Sequence, residues 1–324
     1  MASQVVNGKA FEYAIANEYY KYLQARGIQA SLLKDAAFKV AESFYLQKDD
    51  ASQRSFDNAA QQTIETLMVL EPGLSTERSS EDLLKIYIAP DVNGEMGDVR
   101  DVIFKRSNSK PAWEIGFSAK NNHEAVKHSR LSMSIDFGEK WVGHKCTSEY
   151  FQEISQIFQK LETLLEIDSH MTWDQLDDKD INIYMPILKA FRKEMLKLAS
   201  QHKDLPKKLL EYLIGQYPFY KIIKDDNSKT VVVKAFNING RLNATVNGKK
   251  ALVKTDKIKM PSRIIEFEFV PGSTTTLMMV LDHGWQISFR IHSAKKVIEK
   301  SLKFDIQLIG NPPILFTQHL FNIQ

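Results

Sequence analysis

Residues 96–122, reading MGDVRDVIFKRSNSKPAWEIGFSAKNN, constrain the fold more than any other stretch of the chain. Two largely apolar runs, 99–104 and 112–120, flank KRSNSKP, whose Asn, Ser and Pro are turn formers. The flanks are rich in β-branched and aromatic residues, so the stretch reads as a β-hairpin. Its strands carry charge, which is unusual for a purely structural hairpin: Asp101 opens the first and Lys120 closes the second. Side chains alternate between the faces of a strand, which puts Glu114, Gly116, Ser118 and Lys120 on one side. Asp101 beside Lys120 would set a metal-binding acid next to a fixed positive charge. That pair suits phosphodiester hydrolysis, where a metal activates water and a cation offsets the charge growing on phosphorus.

Ahead of the hairpin the pattern is helical. Phe11, Ala14, Ile15, Tyr19 and Leu23 recur at three- and four-residue steps and predict a helix over 8–26, with Asn7-Gly8 at its start. Glu12 then lies in the first turns, beside the apolar stripe, where the helix dipole favours an acid. Two more amphipathic helices are expected at 35–47 and 56–70, the former carrying Glu42 as a second helix acid; Pro72-Gly73 ends the block. A buried strand at 84–89 leads into a turn at 91–94, so Pro90-Asp91 closes an earlier strand; Asp98, just ahead of Asp101, is either a second acid or a loop residue.

Beyond Lys120 come Asn121, Asn122 and His123, then an expected helix over 123–134 that gathers Lys127, His128 and Arg130 in one turn. Such a helix either holds the phosphates of a cut strand or is a solvated face. Helices at 149–167, 183–202 and 205–215 have the apolar spacing of scaffold. From 219 on, short strands are predicted at 231–236, 242–246, 251–254, 264–269, 276–281, 286–292 and 304–309, with Asn239-Gly240 and Asn247-Gly248 as hairpin turns. Gln286, Ser288, Arg290 and His292 share one strand face. Arginine and glutamine so placed can read guanine and adenine edges; alternatively Arg290 is tied into an ion pair between strands.

Composition narrows the class. A chain of 324 residues with 43% hydrophobic residues fits one large or two ordinary globular domains. No apolar run approaches the ~18 residues of a membrane helix, and no basic segment followed by an apolar core opens the chain, so the cytoplasm is the expected compartment. The single cysteine, Cys146, excludes an internal disulfide, and no Cys/His ligand spacing suggests zinc. Charge is uneven. From Gln216 onward 16 Lys and Arg face 8 Asp and Glu, an excess of +8 in a chain of net charge +3, which leaves −5 on residues 1–215. A basic C-terminal third fits a phosphate-backbone surface.

An acid opening a strand, followed by a hairpin that ends in x-x-Lys, resembles the PD-(D/E)xK nucleases. The longer string GDVRDV…WEIGFSAKNNHEAVKHSRLS…IDFGEKW resembles, more narrowly, the type II restriction endonucleases that cut GGCC. The match is clearest over 98–141, with weaker support near Gly8 and the C-terminus. The resemblance implies an α/β (α+β) fold: a PD-(D/E)xK core with a mixed sheet flanked by helices, and a β-rich C-terminal DNA-binding region. Residues 1–215 would be the helix-rich core with its catalytic hairpin at 84–120, and 216–324 the basic β-rich recognition region. Two departures stand out. Ser118 holds the position of the usual second acid, and Arg100, not Pro, precedes Asp101.

The resemblance further implies site residues. Gly8 and Glu12 match the Gly-x-x-x-Glu setting in which a first-helix glutamate binds metal. Asp101 and Glu12, with Asp98, would then hold Mg²⁺, and Lys120 would orient or deprotonate the attacking water. Asp136 or Glu139 in IDFGEKW is the alternative source of the acid absent at Ser118. DNA contacts are expected from Asn121, Asn122, His123, Lys127, Arg130 and Arg290. The partners implied are double-stranded DNA, a second copy of the chain or successive binding by a monomer for a palindromic target, and a cognate DNA methyltransferase in the same system. A structure-specific repair or junction nuclease, and a DNA-binding protein with a decayed core, are the rival readings.

Overall fold

A computed structural model describes residues 2–76, 82–92, 97–122, 125–127, 129–293 and 295–321; the side chains of 2, 3, 125 and 127 are not described. In chain order it runs α1 (Ala2–Ala25), β1 (Ala30–Leu32), α2 (Ala36–Leu46), α3 (Asp50–Leu70), β2 (Leu84–Ile88), β3 (Val102–Arg106), β4 (Trp113–Asn121), β5 (Ala125–Lys127) and β6 (Arg130–Leu131). Then follow α4 (Ser148–Ile167), α5 (Met185–Gln201), α6 (Leu205–Ile214), β7 (Phe219–Asp225), β8 (Thr230–Phe236), β9 (Ile264–Phe269), β10 (Thr276–Leu281), β11 (Gln286–His292), β12 (Leu302–Gly310) and β13 (Thr317–Phe321). The chain forms two compact units. One comprises Met1–Glu124, Gln216–Ile258 and Ile314–Gln324; the other comprises Ala125–Gly215 and Lys259–Pro313.

The first unit is built on a seven-stranded mixed sheet in the order β1-β2-β3-β4-β7-β8-β13. β2, β3 and β4 are antiparallel neighbours, and β4 runs parallel to β7. The parallel pairing requires a long crossover between these strands, and residues 122–218 supply it. One face of the sheet is apolar and covered by helices α1 to α3. Tyr19 of α1 meets Phe104 and Phe117 at ring distances of 5.2 and 5.3 Å, and Phe117 touches Tyr220. These rings belong to a continuous buried cluster running from Ala10 to Val246. The period-two pattern explains the sidedness: Trp113, Ile115, Phe117 and Ala119 point to the helices, which leaves Glu114, Gly116, Ser118 and Lys120 on the opposite face.

The second unit has a sheet ordered β5-β12-β11-β10-β9, with β6 also pairing β12. Phe191 of α5 packs on Phe267, Phe289 and Phe304 from three of its strands. Phe137 and Trp141 of the IDFGEKW segment are buried against Phe191, which makes them packing residues.

Several expectations are corrected. α1 begins at Ala2 and passes straight through Gly8, where a Cβ would meet nothing within 4 Å. Glu12 is therefore in mid-helix and gains nothing from the helix dipole, which acts on the first turn. The helix expected over 123–134 is absent from the described residues; β5 and β6 stand there. Helical propensity loses to the edge of β12, which pairs Lys127 with Ile306 and Leu131 with Leu302. Residues 242–246 and 251–254 form no strands, although Asn247 (φ 49°) and Gly248 (φ 85°) do make the tight turn. Finally, the two units interleave along the chain and do not divide at residue 215. β7 and β8 belong to the first sheet, because long-range strand pairing is invisible in local composition.

Candidate active site

β3 and β4 build the site from their own hydrogen-bond register. Val102 pairs with Phe117, so Asp101, one residue earlier, falls opposite Ser118. Its carboxylate is then held by the neighbouring strand. Asp101 Oδ2 accepts from the Ala119 amide at 2.7 Å, from the Ser118 hydroxyl at 3.1 Å and from Lys120 Nζ at 3.3 Å. Asp101 and Lys120 side chains are 23% and 24% exposed, so the pair is accessible but not freely solvated. Among the described residues, every hydrogen bond found at this carboxylate falls on Oδ2, which leaves Oδ1 to face other partners.

α1 brings Glu12 to the same place. Glu12 is 6% exposed in a helix otherwise packed on the sheet. Burial, and then the charge of Asp101, push its carboxyl up to about 8, while Lys9 and Lys120 pull it down. Asp101 and Lys120 thus act on Glu12 electrostatically, and the three sequence-derived residues Asp101, Lys120 and Glu12 converge. Carboxylates that raise one another in this way repel unless a cation sits between them. All the donors are oxygens, which is the set a hard divalent cation such as Mg²⁺ prefers.

Lys9 is a site neighbour that the sequence reading does not single out. Its Nζ lies 3.0 Å from Glu12 Oε2 and 2.5 Å from Asp91 Oδ1. Burial opposes a charge on Lys9, yet Glu12 and Asp91 outweigh it and hold the ammonium above its ordinary pKa. Asp91, read as the end of an earlier strand, therefore does meet the site, through Lys9. Lys9 and Glu12 are three apart, a spacing that puts side chains on one helix face, so the signal is present in the sequence.

Asp98 is engaged elsewhere. Its Oδ1 and Oδ2 accept from Arg100 Nε and Nη2 at 2.8 and 2.7 Å, a fork that uses both oxygens. Arg100 also reaches Glu114 at 2.8 Å, and its guanidinium lies 4.4 Å from the Tyr217 ring centre. Arg100 thus ties Asp98 and Glu114 together. The alternative acids are committed too. Asp136 accepts from the Glu139 and Cys146 amides, and Glu139 is exposed beside Lys145.

The expected DNA contacts lie in several settings. Asn122 exchanges two hydrogen bonds with Asp226, at 2.6 and 2.7 Å, and Asn121 Oδ1 is buried without a partner among the described residues. His123 lies outside the described residues, and only the backbone of Lys127 is described. Arg130 is on a strand, bonded to Glu299 and Ser301. Arg290 is exposed on the outer face of β11 with Gln286 and Ser288 less so, and it pairs with Asp305 of β12 at 3.2 Å.

A family model described as HaeIII restriction endonuclease matches residues 8–312. Type II restriction enzyme HaeIII from Haemophilus aegyptius is 38% identical over 307 residues, which cover 94% of this chain and 94% of that protein. No solved structure matches the chain.

Proposed function

The chain belongs to the HaeIII restriction endonuclease family, and from that premise we propose that Asp101, Lys120 and Glu12 form the centre with which it cuts DNA. It is a sequence-specific double-stranded DNA endonuclease, and GGCC is the target that its relationship implies. The observation that carries the assignment of the centre is the convergence on Asp101: Ala119 and Ser118 orient one oxygen, Lys120 stands 3.3 Å away, and Glu12 is close enough for its titration to respond. Asp101 and Glu12 would hold a divalent ion, Mg²⁺ by donor chemistry, which supplies positive charge at the scissile phosphate and acidifies water. Lys120 orients the attacking water and offsets charge on the phosphate. Ser118, lacking a carboxylate, contributes by steering Asp101, and Glu12 provides the second negative charge. Asp98 is left out of the metal set, because Arg100 takes both its oxygens.

A palindromic target needs two cuts, which a homodimer or successive binding by one chain would deliver, and a host that carries such an enzyme needs a methyltransferase to protect its own sites. Among the described residues no helix is long and apolar enough to cross a membrane. Digestion of plain duplex DNA in Mg²⁺ tests the reading. Discrete bands that vanish with Lys120→Ala are expected. A smear, or cutting restricted to junctions, points to a structure-specific nuclease, and bands that survive Lys120→Ala remove the lysine from the centre.

A further inference from the structure

The second unit carries a cluster that the cleavage chemistry does not use. His144 lies in the loop before α4, His202 caps the end of α5, and Asp204 begins α6. His144 Nε2 is 3.0 Å from Asp204 Oδ1. The two imidazoles stack with centroids 3.7 Å apart and planes within 5°. One ligand atom from each of the three residues lies within 4.8 Å of the other two.

The cluster stands on a fixed backbone. The His144 amide donates to the Gly138 carbonyl at 3.1 Å. A Cβ on Gly138 would come within 2.4 Å of the His144 carbonyl, so that contact needs a glycine. The His202 amide donates to the Leu198 carbonyl, and the His202 carbonyl accepts from the Leu205 amide. Lys208 completes the group, 2.7 Å from Asp204 and 3.5 Å from His144 Nε2.

We propose that His144, His202 and Asp204 form a second metal site, selective for a borderline transition ion of the Zn²⁺ class over Mg²⁺. Two imidazoles and one carboxylate are a set that Zn²⁺, Co²⁺ and Ni²⁺ bind well and that Mg²⁺, which prefers oxygen and water, binds poorly. Tetrahedral bonds of ~2.0–2.1 Å separate ligands by roughly 3.4 Å, close to the His144–Asp204 spacing already present. His202 has only to swing its ring for the third bond, and water fills the fourth position. Lys208 occupies the cationic role in the metal-free protein. It is 40% exposed, so its ion pair is easily given up. The bound ion would pin the loop at 143–147 to the turn between α5 and α6. Sequence spacing hid the site, because the histidines come from separate segments.

The test uses the full chain carrying Asp101→Asn, stripped with chelator and kept in excess Mg²⁺, so that the cleavage centre does not take up the probe. Titration with Co²⁺, read by visible absorption, and with Zn²⁺, read by calorimetry, should show one site. His144→Ala and His202→Ala should each weaken it by about tenfold or more. Lys208→Ala, which removes only the exposed competitor, should tighten it several-fold, and that variant keeps the test valid if a histidine variant fails to fold. Zn²⁺ should raise the melting temperature of the parent and not of His202→Ala. Absence of Co²⁺ and Zn²⁺ binding, or equal binding in the parent and His202→Ala with no gain in Lys208→Ala, overturns the proposal.

Discussion

Asp101 shows how much one residue owes to its neighbours. Its position opposite Ser118 is a matter of strand register, and three donors from a single strand segment fix one of its oxygens. Ser118 donates a hydrogen bond to that oxygen and brings no charge of its own. Glu12 then depends on Lys9, which is itself neutralised by Asp91. A charge-assisted hydrogen bond is worth about 1.5–3 kcal/mol. Lys9 also pulls the buried Glu12 carboxyl down, so Lys9→Gln should leave Glu12 more readily protonated and raise the Mg²⁺ concentration for half-maximal cleavage by roughly tenfold or more, with folding retained. An unchanged Mg²⁺ requirement would show that Lys9 does not position Glu12.

At the scale of elements, the hairpin is legible in the sequence and the crossover is not. Turn residues between two β-rich runs locate β3 and β4, and period two places Ser118 and Lys120 on one face. The amphipathic spacing of Phe11, Ala14, Ile15 and Tyr19 finds α1, whose buried stripe holds Glu12 at the strand ends. What local sequence does not reveal is pairing at a distance: β7 beside β4, and β5 and β6 at the edge of β12. Residues 123–134 look helical alone, yet 125–127 and 130–131 become strands because β12 offers unpaired backbone groups. The ion pair of Arg100 is equally hidden, since Asp98 and Glu114 become its partners only when the hairpin forms.

Two changes test these elements. A Cβ at Gly116 would lie 2.2 Å from Arg100 Cδ and 2.6 Å from its Cβ. Asp98 and Glu114 hold Arg100 in place, so Gly116→Ala should destabilise the protein by about 1–3 kcal/mol, seen as a lower melting temperature. A melting temperature equal to the parent's would mean that Arg100 gives way freely. Arg290 stands on the exposed face of β11, and its pairing with Asp305 leaves it 56% exposed. If it reads a base, Arg290→Ala should cost about 1–3 kcal/mol and relax discrimination at one position of the target. Equal weakening on specific and random duplexes would make it a phosphate contact, and no change would leave it a structural ion pair.

The whole molecule divides its sequence between two units that each draw on separated segments. The first unit contains every residue of the proposed cleavage centre, from Glu12 on α1 to Lys120 on β4. The basic excess after Gln216 is shared between units, because β7 and β8 carry Lys221, Lys224 and Lys234 into the first sheet. A charge count along the chain therefore does not map onto one recognition surface. With Lys120 and the β4 backbone held to it and Glu12 responding to its charge, Asp101 is the proposed pivot of the cleavage centre. Asp101→Asn preserves shape and removes the negative charge on which a divalent ion depends, a change worth several kcal/mol in the transition state. On a duplex carrying one GGCC site in Mg²⁺, the variant should bind with near-parental affinity while its cleavage rate falls by at least about a hundredfold. Cleavage at near-parental rate by a folded Asp101→Asn protein would contradict that assignment.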